Sequence, residues 1–553
     1  MPGIRLARYY NRDWLKPDLA AAVTVFAILI PSALAYGELA GFEPVVGLYA
    51  ALGAMIAYAL FGSSRQMIVG PDATIAILVA TVVAPMAGGD IARYAALAAA
   101  LAILIGFICL LAGHFKMGFV ADFLSKPILT GYITGTALII IASQLGKLFG
   151  IKIENEDFFA QILELITKLD QSNLLTLALG LVTILALGLL KRFAPKVPGT
   201  LVIVVAAIII SSIFHLADFG VAVVGQISGG LPIPQIPQLG IGDLRRLLPA
   251  ALAMSILIFS DEVLIARVFA RKNRYDLDTN QELVALGAMN ISSGLFQSFA
   301  TAASSSRTVV NDNSGGKSQM VGVISAGLIV VFLLFFTSLL QNLPSVVLGA
   351  IIIVAAFSLI DIQEFRSLNL VRHSEFYLSF LTLFGVLVIG IVPGIALAVV
   401  FSLIDFVNRM YHPSGTVLTT IDGVEYHGIK PGGYNQVMPG LIVYGFDAPL
   451  FFANAPYLMD QIRELISTST ADRPIKWLLF NARAIPDIDT TAADTLKQIH
   501  QELQEKGITL AMARANKHLR ETMRLTGLED LIGAENFYPS VRAGVKAFKE
   551  RMG

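Results

Sequence analysis

Ser304, Ser305, Ser306 and Arg307 stand in a polar segment, residues 301–319, between two strongly apolar stretches, Leu283–Phe299 and Met320–Leu340. Each stretch approaches the roughly 20 apolar residues that cross a bilayer. An arginine between them is a fixed cation that hydrocarbon would reject at roughly 2.5–3.5 kcal/mol. It needs protein, water or an anion beside it. The serines alone fit two roles equally, close helix packing through small side chains or hydrogen-bond donation to a ligand. Arg307 moves that balance toward an anion site.

Three other polar clusters interrupt apolar stretches. Val69-Gly70-Pro71-Asp72-Ala73-Thr74 opens a short apolar run, with residue types that suit a helix entrance. If this helix and the one carrying the serines both begin near the membrane centre, their N-termini face each other. Each end offers free N–H groups and about half a positive charge, which suits an anion. Asp261-Glu262 lies inside another run, and the two side chains point about 100° apart, so only one faces the site. The acid there either pairs with Arg307, carries a coupling proton, or forms a structural salt bridge. Pro31, followed by Ser32 and Tyr36 one turn apart, is expected to break its helix and free carbonyls.

The elements that must hold these residues are membrane helices. The 553 residues are 55% apolar and only 14% charged, with mean hydropathy +0.71, where soluble domains carry about 25% charged residues. Zero net charge argues against nucleic acid. The single cysteine, Cys109, cannot form an intramolecular disulfide or a thiolate metal cluster, and it reads as a small buried hydrophobe. Gly315-Gly316-Lys317-Ser318 imitates the end of a phosphate-binding loop, but Asn311 occupies the place of its first glycine. No cofactor is expected. Arg5, Arg8, Arg12 and Lys16 lead directly into the first apolar run, without a small-residue cleavage site.

Apolar runs predict fourteen spans between residues 19 and 409, with span three at 71–86 and span ten at 301–311. Basic residues such as Arg65, Lys116, Lys191, Arg271 and Arg366 concentrate after even-numbered spans, so the N-terminus and the C-terminal part are expected in the cytoplasm. Val197-Pro198-Gly199 before span seven recurs as Val392-Pro393-Gly394 before span fourteen. Leu124-Ser125-Lys126-Pro127 before span five is matched by Leu343-Pro344 before span twelve. A seven-plus-seven repeat must be inverted in the membrane, the pattern of secondary transporters. The expected organisation is a cytoplasmic segment at 1–16, a transmembrane transport domain at 17–410, a linker with a first strand at 411–434, and a soluble domain at 435–553. In the last, Lys476–Asn481 and Gly507–Ala513 read as strands around a helix at Thr491–Lys506, an α/β pattern.

Pro31–Tyr36, Leu39–Tyr49, Val69-Gly70-Pro71, Asn280–Gly287 and Ser304–Thr308 with Gly315-Gly316-Lys317 together resemble the sulfate permease (SulP) family. The resemblance implies a polytopic α-helical membrane domain of fourteen spans in a seven-plus-seven inverted repeat, like uracil permeases, and a cytoplasmic α/β STAS domain. It implies core and gate parts with elevator-type movement, an inorganic anion as substrate, and a homodimer. The anion site would fall on Ser32, Tyr36, Asp72, Ala73, Ser305, Ser306 and Arg307, with Asp261 tied to ion coupling. Ser32 stands where many relatives carry Gln, and Asp72 where the residue is usually apolar. Sodium-coupled relatives use a hydroxyl one turn after the acid. Ile265 stands there in this chain, which favours protons over sodium. Asp489-Thr490-Thr491 matches the loop in which related domains are phosphorylated; Thr490 is either such a site or a plain helix N-cap, and a regulatory protein could dock there. The expected activity is proton-coupled sulfate uptake, not enzymatic, in the inner or plasma membrane. Bicarbonate or a C4-dicarboxylate is the alternative substrate, and an anion-binding sensor signalling through STAS the alternative function.

Overall fold

A computed structural model describes residues 2–3, 8, 10–118, 125–155, 157–194, 197–226, 230–420, 426–429, 437–467 and 474–552. Arg5, Leu124 and segments 421–425 and 430–436 around the expected linker lie outside the described residues. The chain divides into two compact units, Met1–Ser402 and Leu403–Gly553.

The first unit begins with α1 (Leu15–Leu39), α2 (Pro44–Phe61), the two-residue strand β1 (Val69–Gly70), α3 (Ala73–Ala87), α4 (Ile91–His114) and α5 (Lys126–Phe149). It continues with α6 (Phe158–Thr167), α7 (Leu174–Phe193), α8 (Gly199–Phe214), α9 (Ile241–Asn273) and α10 (Thr279–Leu295). Then come β2 (Ala302–Ala303), α11 (Ser305–Asn313), α12 (Met320–Phe335), α13 (Ser345–Phe357), α14 (Ile362–Val371), α15 (His373–Ile389) and α16 (Ile391–Tyr411). Setting α6 and α14 aside, the helices form two series of seven, and each extra helix follows the fifth member of its series. The third member of each series is preceded by a two-residue strand, and these strands pair with each other. Among the described residues, seven helices are long and apolar enough to cross a membrane by themselves, including α2, α4, α5 and α9. The expected order of fourteen spans is present. The interfacial pattern of α6, with Phe159, Leu163 and Ile166 exposed along one side, was not anticipated.

The helices sort into two groups. In one, α1 to α4 pack with α9 to α12; in the other, α5 packs with α7, α13 and α15, and α8 with α7 and α13. The groups touch where α1 meets α8 and α13, and where α3 meets α5. Lys147 of α5 also bonds Glu38 of α1 at 2.7 Å. Inside the first group, α4 and α10 approach through glycine. A Cβ on Gly106 would come within 2.7 Å of the Gly287 carbonyl oxygen, and one on Gly287 within 2.7 Å of the Gly106 oxygen. Lipid tails provide no hydrophobic drive between helices, so such backbone proximity is the source of packing energy. Gly287→Leu is expected to cost about 1–3 kcal/mol through overpacking, and should lower the melting temperature of the purified protein.

Pro31 does not end α1. The helix continues to Leu39, and Leu29, Ile30, Ala33, Leu34 and Ala35 around the proline are all buried. The missing N–H frees only the carbonyl one turn earlier, and the surrounding packing holds the helix together. The Ser32 hydroxyl reaches back to the carbonyls of Ile28 and Leu29, both at 3.0 Å.

The second unit is an α/β domain. Its six-stranded sheet uses β3 (Gly415–Thr420), β4 (Tyr426–Ile429), β5 (Leu441–Phe446), β6 (Trp477–Asn481), β7 (Thr509–Ala513) and β8 (Phe537–Tyr538) in the order β4-β3-β5-β6-β7-β8. The last four strands are parallel, which requires helical crossovers. These are α17 (Ala455–Ser467), α18 (Thr490–Glu505) and the pair α19 (Lys517–Leu525) and α20 (Leu528–Ile532), followed by the terminal helix α21 (Val541–Met552). One sheet face packs Leu478, Phe480 and Leu510 against Leu458, Ile462, Leu496 and Leu519. The other packs Trp477 and Leu479 against Val541, Val545 and Phe548. Burial on both faces explains the nearly continuous apolar strands. On the surface, Arg463 bonds Glu502 from Nε at 2.9 Å and holds its carboxyl below the usual range.

Candidate anion site at paired helix N-termini

Strands β1 and β2 pair antiparallel, Val69 opposite Ala303 and Gly70 opposite Ala302. The Ser304 amide extends the ribbon by donating to the Ile68 carbonyl at 2.9 Å. Each strand runs directly into a short helix, β1 into α3 and β2 into α11. Because the strands are antiparallel, the helices leave in opposite directions and bring both N-termini to the ribbon. Asp72 caps α3, accepting from the Thr74 amide at 2.9 Å. Ser304 caps α11, accepting from the Arg307 amide at 3.4 Å. Span ten, expected from residue 301, therefore opens with Thr301 and strand β2, and its helix begins at Ser305.

Buried amides and hydroxyls anchor the ribbon. Asn290 of α10 takes the Thr301 amide at 2.9 Å and donates to its carbonyl at 3.2 Å. The Thr308 hydroxyl accepts from the Ile68 amide at 3.1 Å. Asn311 donates to the Gln66 carbonyl at 2.6 Å, and Gln319 to the carbonyls of Ser64 and Met67 at 2.7 and 2.9 Å. None of these side chains was given a scaffolding role in the sequence, where each is an ordinary polar residue beside an apolar run.

Arg307 is only 2% exposed. Its Nη2 donates to the Pro71 carbonyl at 2.8 Å, tying α11 to the entrance of α3, while Nε is buried with no hydrogen-bond partner. No ion pair joins Arg307 to Asp261 among the described residues, so that pairing is not part of this structure. Gly70 lies beside the guanidinium: its φ is +148°, a conformation that favours glycine, and an added Cβ would touch Nη2 at 3.5 Å, with a branched side chain reaching further. Gly70→Val is expected to displace Arg307 from Pro71 and to weaken anion binding by about tenfold, roughly one charge-assisted hydrogen bond. A binding isotherm on the purified variant measures it.

Ser305, Ser306 and Asp261 are exposed, Ser32, Tyr36 and Asp72 are half-buried, and Ala73 is buried. The exposed serines stand in the first turn of α11 beside the ribbon, and Asp261 lies within reach of Asp72 at the α3 entrance. Asp72 lies within electrostatic reach of Arg307, Tyr36 and Asp261. Ser306 and Ser304 hydroxyls are 3.3 Å apart. One group escaped the sequence reading: Tyr132 of α5, 2% exposed, lies within reach of Asp72 and Asp261. A tyrosine inside a span needs a partner for its hydroxyl, which was the available signal. Tyr132 belongs to the other helix group and faces the site from across the boundary.

The arrangement offers two sets of first-turn N–H groups, serine hydroxyls and a guanidinium with an unused donor. That is a donor-rich site for an oxyanion. It also contains two carboxyls, Asp72 and Asp261, which disfavour an anion while charged. In the second unit, Asp489 and not Thr490 caps α18, accepting from the Ala492 amide at 2.8 Å. The Asp489 carboxylate reaches that amide from an extended backbone, leaving Thr490 in the first helical turn, exposed.

Helices in two series of seven, with paired half-helices meeting at a ribbon, define a polytopic membrane protein built as an inverted repeat. Residues 15–382 match the sulfate permease family, and the chain belongs to that family. Residues 435–544 match the STAS domain. A probable sulfate transporter of Mycobacterium tuberculosis is 40% identical over 553 residues, covering 100% of this chain and 98% of the relative. The chloroplastic sulfate transporter 4.1 of Arabidopsis thaliana is 30% identical, covering 99% and 82%. The murine solute carrier 26 family member A9 anion transporter, solved in an inward-facing state, superposes with TM-score 0.90 at 22% identity, covering 100% of this chain and 94% of that one. The transmembrane domain of a cyanobacterial bicarbonate transporter superposes with TM-score 0.62 at 27% identity, covering 71% and 97%.

Proposed function

We propose that this protein is a secondary active transporter that takes up sulfate together with protons. The observation that carries this reading is the buried Arg307 guanidinium, held at two opposed helix N-termini with Nε unpartnered. An oxyanion supplies the missing acceptor. The binding set is Ser305, Ser306 and Arg307 from α11, the α3 entrance at Asp72 and Ala73, and Tyr36 from α1. Ser32 contributes less as a donor, since its hydroxyl proton is directed to its own helix.

Charge balance supports proton coupling. Arg307 is one cation beside two carboxyls, so a dianion arriving with both acids ionised would leave the site strongly negative. Protonating Asp261 relieves this, and anion and proton binding then favour each other reciprocally. Protons entering with sulfate also offset the cost of carrying two negative charges against an inside-negative potential. Transport follows an elevator-type displacement of the α1–α4 and α9–α12 group against the other. The limited contact between the groups supports it, with Lys147–Glu38 as a bond that must break. The protein lies in the inner or plasma membrane with both termini cytoplasmic, by the distribution of basic residues, and works as a homodimer. Phosphate on Thr490 would sit in the first turn of α18, where the helix dipole favours it, and would alter docking of a regulatory protein there.

The test is uptake into proteoliposomes with sulfate, bicarbonate, succinate and chloride, under pH or sodium gradients. Sulfate accumulation driven by an inward proton gradient is expected. Accumulation of bicarbonate but not sulfate would transfer the reading to the substrate of the cyanobacterial neighbour, and no flux of any anion would favour a sensor.

A further inference from the structure

Glu262 follows Asp261 in α9 but turns away from the anion site into the packing with α4 and α10, and it is 0% exposed. Neither of its carboxyl oxygens meets a hydrogen-bond donor of the fold. Against it lies Glu282 in the first turn of α10, also 0% exposed. Glu282 is well supplied with donors: Tyr58 Oη at 2.6 Å, the Ser63 amide at 2.8 Å, the Ser63 hydroxyl at 2.5 Å and the Ser64 amide at 3.0 Å. The titratable groups facing Glu262 are Glu282 from α10, Tyr58 from α2, Cys109 from α4 and Asp261 from its own helix. The neighbouring β2 and α3 contain no titratable side chain. None of these groups is a cation.

Two carboxylates buried side by side without a cation repel, and neither can recover its lost hydration. A carboxylate that accepts several donors is stabilised as the anion, which describes Glu282. The other carboxyl must then be neutral, and its O–H has the Glu282 carboxylate beside it as an acceptor. We propose that Glu262 and Glu282 form a proton-binding site separate from Asp261, in which Glu262 carries the proton and donates it to the Glu282 carboxylate. The site stands whether or not anion uptake proves to be proton-coupled. It also has its own connection to the surface. The Ser63 hydroxyl touches Glu282, and Ser63 is half-buried in the loop after α2, so the proton exchanges with solvent there without crossing the anion site.

Infrared difference spectra of the full-length protein in nanodiscs, recorded in H2O and D2O across pH, test this. Wild type is expected to show a buried carboxylic-acid carbonyl band that shifts in D2O, is absent in Glu262→Gln and persists in Asp261→Asn. Ser63→Ala is expected to slow its deuterium exchange. The same band in wild type and Glu262→Gln would overturn the site, and unchanged exchange in Ser63→Ala would overturn the route. Stability supplies a second reading. Glu262→Gln copies the shape and donor of the protonated acid and should keep the wild-type melting temperature, while Glu282→Gln removes the anion that four donors address and should lower it by several degrees. The reverse ranking would contradict the assignment of the proton to Glu262.

Discussion

Arg307→Ala is expected to abolish measurable sulfate uptake and to weaken equilibrium anion binding by roughly 30- to 1,000-fold, the effect of about 2–4 kcal/mol for truncating one partner of a buried charge pair. The guanidinium has two tasks, and the substitution removes both. It supplies the fixed positive charge of the site, and through Pro71 it holds the α3 entrance against α11. Arg307→Lys separates the tasks. Lysine keeps the charge but lacks the planar fork, so binding should fall less than in the alanine variant. Equal loss in both would assign the residue to geometry and not to charge. Isotherms of sulfate binding to purified protein measure the series.

Asp261→Asn is expected to remove the pH dependence of sulfate affinity and to uncouple uptake from a proton gradient, leaving exchange of sulfate intact. Asparagine imitates the protonated acid, so affinity should resemble that of wild type at low pH across the whole range. The sign follows from linkage: a proton that accompanies a dianion makes wild-type binding tighter as pH falls. Retained gradient-driven accumulation in this variant would remove Asp261 from coupling. Asp72 is a less suitable coupling group, because its carboxylate already caps α3.

Much of this structure was legible in the sequence because a bilayer limits what the chain can do. Apolar length announced the spans, and the odd number per repeat required inversion. The Pro71 and Ser304 neighbourhoods marked helix entrances, since proline and serine have specific tasks there. Other features depend on partners distant in sequence. Pairing of Val69 with Ala303 joins residues more than two hundred positions apart, and a two-residue strand leaves no periodicity to detect. Pro31 misled because its local rule, a broken helix, yields to packing by buried neighbours. The sequence allowed only one of Asp261 and Glu262 to face the site, and only packing against Glu282 shows where the other goes. Thr490 lost the capping role to the adjacent Asp489, a one-residue difference that local propensity does not resolve.

The most direct test of the anion site is counterflow of labelled sulfate into proteoliposomes preloaded with unlabelled sulfate, wild type beside Arg307→Ala, with no ion gradient. Transient accumulation in the wild type and none in the variant is the predicted result. Equal accumulation in both would show that sulfate crosses without the paired helix N-termini and their arginine.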